Sequence, residues 1–236
     1  MFKTIIYSLV FISISAYSYA QNTEDPNLDY AITKGNFYSA LTFSLDQRNA
    51  ENEDQLFRQV IDQNRFNYRI IANGGYAVKD NFTIGLTLAF GREKEDITFL
   101  DENDSEVTSK RLEQGFSFAP NIRNYIPIGK GQLQILIQTE LGFTFGESLE
   151  RNFYPDEVDK IQEDFIEINL GVSPGLLLFF NNKWAFETTV GIAGLSSRIE
   201  EKVINDDSEN RQRVEASSID LRLNLLELNL GVALYF

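Results

Sequence analysis

Arg65, Arg69, Arg123, Glu140, Glu167, Glu187, Arg222 and Glu227 are charged residues set within segments that are otherwise apolar at every second position. Carboxylates held close together could exchange protons with a substrate, whereas carboxylates held beside guanidinium groups form ion pairs. The even balance of Arg and Glu favours the second arrangement. The chain contains no His, so no Ser/His or Asp/His relay can be assembled, and catalysis is not expected. Cys is also absent, which removes thiolate ligands and disulfides. No catalytic, cofactor-binding or metal-binding set is proposed, and no cofactor is expected.

The segments that carry these charges repeat every second residue, the period of a strand with one apolar face. The first strand, Asn36 to Asp46, sets Phe37, Leu41, Phe43 and Leu45 against Tyr38, Ala40, Thr42 and Ser44. The second sets Phe66, Tyr68, Ile70, Ala72 and Tyr76 against Arg65, Asn67, Arg69 and Asn73. Val78 to Asn81 makes a tight turn, because Asp and Asn tolerate left-handed backbone geometry. Phe82, Ile84, Leu86, Leu88 and Phe90 then alternate with Thr83, Gly85, Thr87 and Ala89.

The same alternation recurs around Phe116 to Arg123, Leu133 to Phe145, Ile166 to Phe180, Trp184 to Ala193 and Leu226 to Phe236. Short turns alternate with charged loops, which are read over Gly91 to Ser109, Glu147 to Gln162 and Ser196 to Ala216. In the last strand the apolar stripe moves from odd positions (Ile219, Leu221, Leu223, Leu225) to even ones from Leu226. A period of two changes phase only through an inserted residue, so a β-bulge is expected near Asn224 to Leu226.

Residues 1–20 read as a cleaved export signal. Lys3 precedes an apolar run from Thr4 to Ser15, and Ser18-Tyr19-Ala20 precedes cleavage before Gln21. Residues 21–34 form a short N-terminal segment and 35–236 a single domain. The net charge of −14 excludes a nucleic-acid partner, since no basic stripe is available to displace counterions.

About eight strands of this kind, each near the roughly 9–11 residues that cross a bilayer at barrel tilt, admit two closed barrels. A soluble barrel would turn its apolar face inward and carry many Lys and Glu outside. Here the polar face is rich in Gly, Ala, Ser, Thr and Asn, which suits a narrow lumen. Phe37, Tyr76, Phe82, Phe180, Trp184 and Phe236 gather at the turn end, and Phe43, Phe66, Phe90, Phe116, Phe143 and Phe145 at the loop end. Two such belts are the interfacial girdles of a membrane barrel. The expected fold is all-β: an eight-stranded antiparallel up-and-down transmembrane β-barrel preceded by a cleaved signal peptide.

The signal, the strands, the turns Lys79-Asp80-Asn81 and Asn182-Lys183-Trp184, and the terminal Leu230-Gly231-Val232-Ala233-Leu234-Tyr235-Phe236 resemble the small outer-membrane β-barrel family. That group is related in architecture to OmpX and to the OmpA transmembrane domain. The resemblance implies residence in the outer membrane of a Gram-negative bacterium, among outer-membrane lipid and lipopolysaccharide. It also implies that Leu228, Leu230, Val232, Leu234 and Phe236 form the C-terminal signal read by the barrel-assembly machinery. The family often has an aromatic third from the end, where this chain has Leu234.

With apolar stripes toward lipid, all the charges named first point into the lumen, where they must pair. Counting from the turns places Arg123 and Glu187 low, Arg69 with Glu140 and Glu227 in the middle, and Arg65 and Arg222 with Glu167 high. Such a network closes a barrel of this width. The alternative is a narrow channel for ions or small solutes. The role expected is structural or surface-interacting, with an extracellular ligand met by the acidic loops. Glu51 to Asp54, Asp101 to Glu106, Asp156 to Asp159 and Asp206 to Glu209 could carry divalent cations, although Glu106 stands where a calcium loop needs Gly.

Overall fold

A computed structural model describes residues 30–55, 58–100, 105–155, 157–207, 211–221 and 228–236, with 49–55, 58–59 and 219–221 described by backbone alone. The export signal, Arg222, Glu227, most of the Asp101 run and the bulge expected at Asn224 to Leu226 lie outside the described residues.

All regular elements among the described residues are strands: β1 (Phe37–Gln55), β2 (Arg58–Lys79), β3 (Phe82–Leu100), β4 (Glu106–Ile128), β5 (Leu133–Phe153), β6 (Val158–Phe179), β7 (Trp184–Thr189), β8 (Ala193–Ile204), β9 (Gln212–Leu221) and β10 (Asn229–Tyr235). Antiparallel pairing runs from β1 in order to β7, then to β10 and back to β1, closing a ring. Beyond β7 its wall continues as β8, which also pairs with β6. β9 runs along β8 as β10 runs along β7. Ten strands thus occupy eight positions around the wall. The seam is closed by Phe37 N donating to Phe236 O at 2.7 Å and Phe236 N donating to Phe37 O at 2.9 Å.

Sequence and structure differ in strand length. β1 to β6 each run 19 to 23 residues, so the segments read as charged loops are the outer halves of long hairpins. The apolar stripe ends where hydrocarbon would end, but backbone pairing continues beyond it with alternating charges. Tight turns join β2 to β3, β4 to β5 and β6 to β7 at the opposite end. Asn81 there has φ 56° and Gly129 and Gly131 have φ 59° and 83°, the left-handed geometry that such turns require.

A second difference is a phase change in the seventh wall position, which the sequence reading continued unbroken to Ala193. Gly175 of β6 faces Thr189, and Val172, three residues along, faces Ala193, four residues along. One additional residue is therefore inserted between β7 and β8, and the inward positions pass from odd to even. Val190 N still donates to Pro174 O and Ile192 N to Val172 O across the break.

The outward face of the ring is apolar: Leu41 is 62% exposed, Leu230 61% and Phe236 58%, and Phe118 and Ile168 lie on the same side. Inward side chains of the lower layers are buried, Arg123 completely, while Arg65, Arg69, Glu140 and Glu167 above them are half-buried. At the turn end the interior is filled by Ile32, Tyr38, Tyr125, Leu136, Leu177, Phe179 and Tyr235. The segment Tyr30 to Lys34 lies across that end. Asn81 N donates to Ile32 O, Gln134 Nε2 to Tyr30 O and Lys34 N to the Asp80 carboxylate, while Tyr30 stacks on Phe179.

Candidate functional site

The interior is layered from the turns upward, and the layers follow from which inward positions carry which residues. Above the apolar cluster lies Arg123 of β4. Its two terminal nitrogens donate to the two carboxylate oxygens of Glu187 on β7 at 2.9 and 3.0 Å, and its Nε donates to Gln138 Oε1 at 2.8 Å. One face of the guanidinium also rests on the Tyr38 ring, 4.6 Å from its centroid. Tyr38 can lie there because Gly75 and Gly85 face each other on β2 and β3. A Cβ on Gly75 would collide with the ring and one on Gly85 with its hydroxyl, and each would also meet a backbone carbonyl, of Ile84 and of Gly74. A buried charge is tolerated only with this degree of pairing and hydrogen bonding.

The next layer is neutral and acidic. Gln138 Nε2 donates to Glu140 at 2.7 Å, Thr87 to Glu140 at 3.3 Å and to Asn73 at 2.6 Å, and Asn121 Nδ2 to Thr87 at 2.9 Å. Here the structure departs from the expected pairs. Arg69 and Glu140 line one cavity of about 220 Å³, but Glu140 takes its hydrogen bonds from Gln138 and Thr87 and forms no ion pair with Arg69. A second cavity of about 200 Å³ above it is also bordered by Arg69, together with Glu167 and Arg198.

Above the cavities Arg65 pairs with Glu93 at 2.6 Å. Glu167 lies 4.0 Å from Arg198 rather than beside Arg65. Arg198 of β8 reaches across the lumen to Glu113 of β4 with both terminal nitrogens, at 3.0 and 3.1 Å, and lies over the Phe165 ring. Lys202 meets Glu163 at 2.6 Å, with Ser148 donating to the same carboxylate at 3.0 Å and Arg111 3.7 Å away. Glu163 lies beyond the apolar stripe of β6. Burial raises its pKa, but the Lys202 and Ser148 hydrogen bonds and the Lys202 and Arg111 charges outweigh burial and hold it below the usual carboxylate value. Hydrogen bonding to Glu163 raises the Lys202 pKa against burial.

Glu93, Arg198, Glu200 and Lys202 escaped the sequence reading because it assigned them to loops, and Glu113 because it lies between the Gly91 to Ser109 loop and the strand read from Phe116. The available signal was inward charge at every second position, Glu93 and Glu95 on β3 and Arg111 and Glu113 on β4. Leu136 and Leu177 were also missed as inward residues. They lie in the unbroken apolar runs Ile135 to Ile137 and Leu176 to Phe180, where periodicity cannot tell the faces apart.

Of the C-terminal strand, Leu228, Leu230, Val232 and Phe236 are exposed on the outer face, with Leu234 partly covered. The ring of Phe236 stacks on Phe37. Of the acidic loop residues described, Asp206 pairs with Lys160 at 2.8 Å and Asp159 accepts from Asn205. Among the described residues no group of three metal-ligating side chains converges.

No family model and no curated protein sequence matches the chain. Among solved structures it is similar to the outer membrane protein OprG from Pseudomonas aeruginosa, at 12% identity and a TM-score of 0.48, covering 86% of this chain and 97% of that one. A major outer membrane protein from Thermus thermophilus aligns at 14% identity and a TM-score of 0.42, covering 85% and 99% of the two chains. The N-terminal β-barrel domain of Pseudomonas aeruginosa OprF aligns at 14% identity and a TM-score of 0.26, with 85% and 97% covered. These likenesses assign no role to any side chain.

Proposed function

We propose that the chain is an integral outer-membrane β-barrel of a Gram-negative bacterium, with a structural or surface-interaction role and no catalytic one. One observation carries this reading: an exposed apolar belt surrounds the ring while Arg123 and Glu187 are buried inside it. Water cannot solvate so large an apolar band without aggregation, and a closed sheet is the form in which strands cross hydrocarbon with every backbone group paired. Residues 1–20 direct export, and the strand ending at Phe236 presents the assembly signal to the barrel-assembly machinery. The protein resides among lipopolysaccharide and outer-membrane lipid.

The lumen is closed. The apolar cluster and the Tyr30 to Lys34 segment block the turn end, and the Arg123–Glu187 bridge spans the interior above them. This favours a sealed barrel over a narrow channel, and leaves the outer hairpins as the surface through which the protein meets other molecules. Detergent-extracted outer membranes should contain a band whose gel mobility changes on boiling. A protein found only in soluble fractions, with mobility unaffected by heat, would reject the proposal.

A further inference from the structure

We propose that the outer face of β4 and β5, just beyond the apolar belt, docks the phosphorylated headgroup of an outer-leaflet glycolipid. The proposal rests on the outer-membrane reading and goes beyond it by naming a site and its ligand chemistry. In a chain of net charge −14, Arg92, Lys110 and Arg151 are exposed together on this outward face. They border a hollow of about 330 Å³ whose floor includes Leu112, Leu149 and Phe153.

Two features mark the hollow as built for an anion. Lys110 and Arg151 stand directly opposite each other across the β4–β5 ladder, and Arg151 stands opposite Lys160 across the β5–β6 ladder. Like charges so placed destabilise a sheet, and a bound anion removes the repulsion. Asp96 stands opposite Lys110 across the β3–β4 ladder and lines the hollow, but it holds Lys94 at 2.8 Å rather than Lys110, and Asp206 holds Lys160. Among the described residues, Arg92, Lys110 and Arg151 have no carboxylate partner, and the Lys110 ammonium lies only against the Phe153 ring, 5.7 Å from its centroid.

Position selects a lipid as the source of the phosphate. Arg92 lies two residues beyond Phe90, and Lys110 six beyond Phe116, along outward-facing rows that continue the belt. At a rise near 3.3 Å per residue and a tilt near 45°, these cations stand about 5 and 14 Å above the girdle. A glycolipid with acyl chains against Phe116 and Phe145 places its phosphorylated sugars at both levels. Guanidinium groups take phosphate oxygens bidentately, and Leu112 and Leu149 offer the sugar rings an apolar floor.

The test uses the full-length barrel refolded in neutral detergent and titrated with bis-phosphorylated lipid A, with dephosphorylated lipid A and with inorganic phosphate, read by native mass spectrometry. The phosphorylated lipid should be retained roughly tenfold better than the dephosphorylated form, the effect of one or two charge-assisted contacts. That preference should vanish in K110Q/R151Q, weaken in R92Q and persist in K183Q at the turn end. Equal retention of both lipids, or a preference unchanged in K110Q/R151Q, overturns the site, as does inorganic phosphate binding without preference for the lipid. Heat-dependent gel mobility is recorded for each variant. Its absence in the unaltered protein would instead overturn the membrane-barrel reading, and its absence only in K110Q/R151Q shifts the decision to R92Q.

Discussion

Glu187 and Arg198 are eleven positions apart on one wall of the barrel, yet both side chains point into the lumen. An odd separation in an unbroken strand would put them on opposite faces. Their partners, Arg123 and Glu113, are ten apart on β4. The inserted residue between β7 and β8 reconciles the two counts. It lets the same pair of walls be bridged twice, with the guanidinium on β4 in the lower bridge and on β8 in the upper.

Deleting Gly191 should therefore turn Arg198, Glu200 and Lys202 outward and uncouple the upper bridge. Gly191 has open space where a Cβ would lie, so G191A should leave the fold intact. Protection of β8 amides from hydrogen exchange should fall in the deletion variant and not in G191A.

Removing one partner of the lower bridge strands the other in a fully buried layer. Arg123→Ala or Glu187→Ala should each lower unfolding stability by about 3–5 kcal/mol, whereas a volume-matched R123M/E187L pair should recover most of the loss. Urea unfolding of the refolded barrel in detergent, with equal slopes, measures both.

The Gly75 and Gly85 pair gives room both for Tyr38 beneath Arg123 and for the close approach of the facing backbones. Gly85→Val should displace the ring and cost about 1–3 kcal/mol through overpacking. Tyr38→Ala in the same background should relieve part of that cost, a coupling that a double-mutant cycle resolves.

Stability of the outer hairpins should depend on pH through Glu163 and Lys202. Glu163 has a lowered folded pKa, so its contribution is present above the ordinary value of 4.5 and fades as pH falls through the folded value. Lys202 has a raised folded pKa, so its contribution is complete below the ordinary 10.5 and is lost as pH rises past the folded value. Hydrogen exchange in β6 and β8 should thus accelerate at either extreme, and E163Q should flatten the acid limb.

Phe236→Ala should separate assembly from packing. The ring is exposed on the outer face and, among the described residues, stacks on Phe37. If the terminal strand is read during assembly, the variant should reach the outer membrane several-fold less in cells while refolding in detergent at close to the normal yield. Equal losses in both assays would assign the residue to packing alone.

How much of this was legible depends on the kind of signal each residue left. Phe82, Ile84, Leu86, Leu88 and Phe90 declare their face because Thr83, Gly85, Thr87 and Ala89 separate them. Arg123 and Glu187 stand out as lone charges in such rows. Arg198 and Glu113 do not, because charges on both faces erase the alternation once the wall leaves the apolar belt. The shift in the seventh wall position is equally silent. Val190, Gly191, Ile192 and Ala193 are all small or apolar, so a slip by one residue exchanges like for like. Arg69 and Glu140 line one cavity but form no ion pair, since register decides distance and barrel shear moves neighbouring strands by several residues.

The strip from Tyr30 to Lys34 has a bearing on the order of events. It touches the β2–β3 turn through Asn81 and Asp80, β5 through Gln134 and β6 through Phe179, and the last two are made from chain that emerges more than a hundred residues later. Although translated early, this strip cannot seat until the sixth strand has arrived. It behaves as a stopper pressed home last, so the base is sealed only when most of the cylinder already stands.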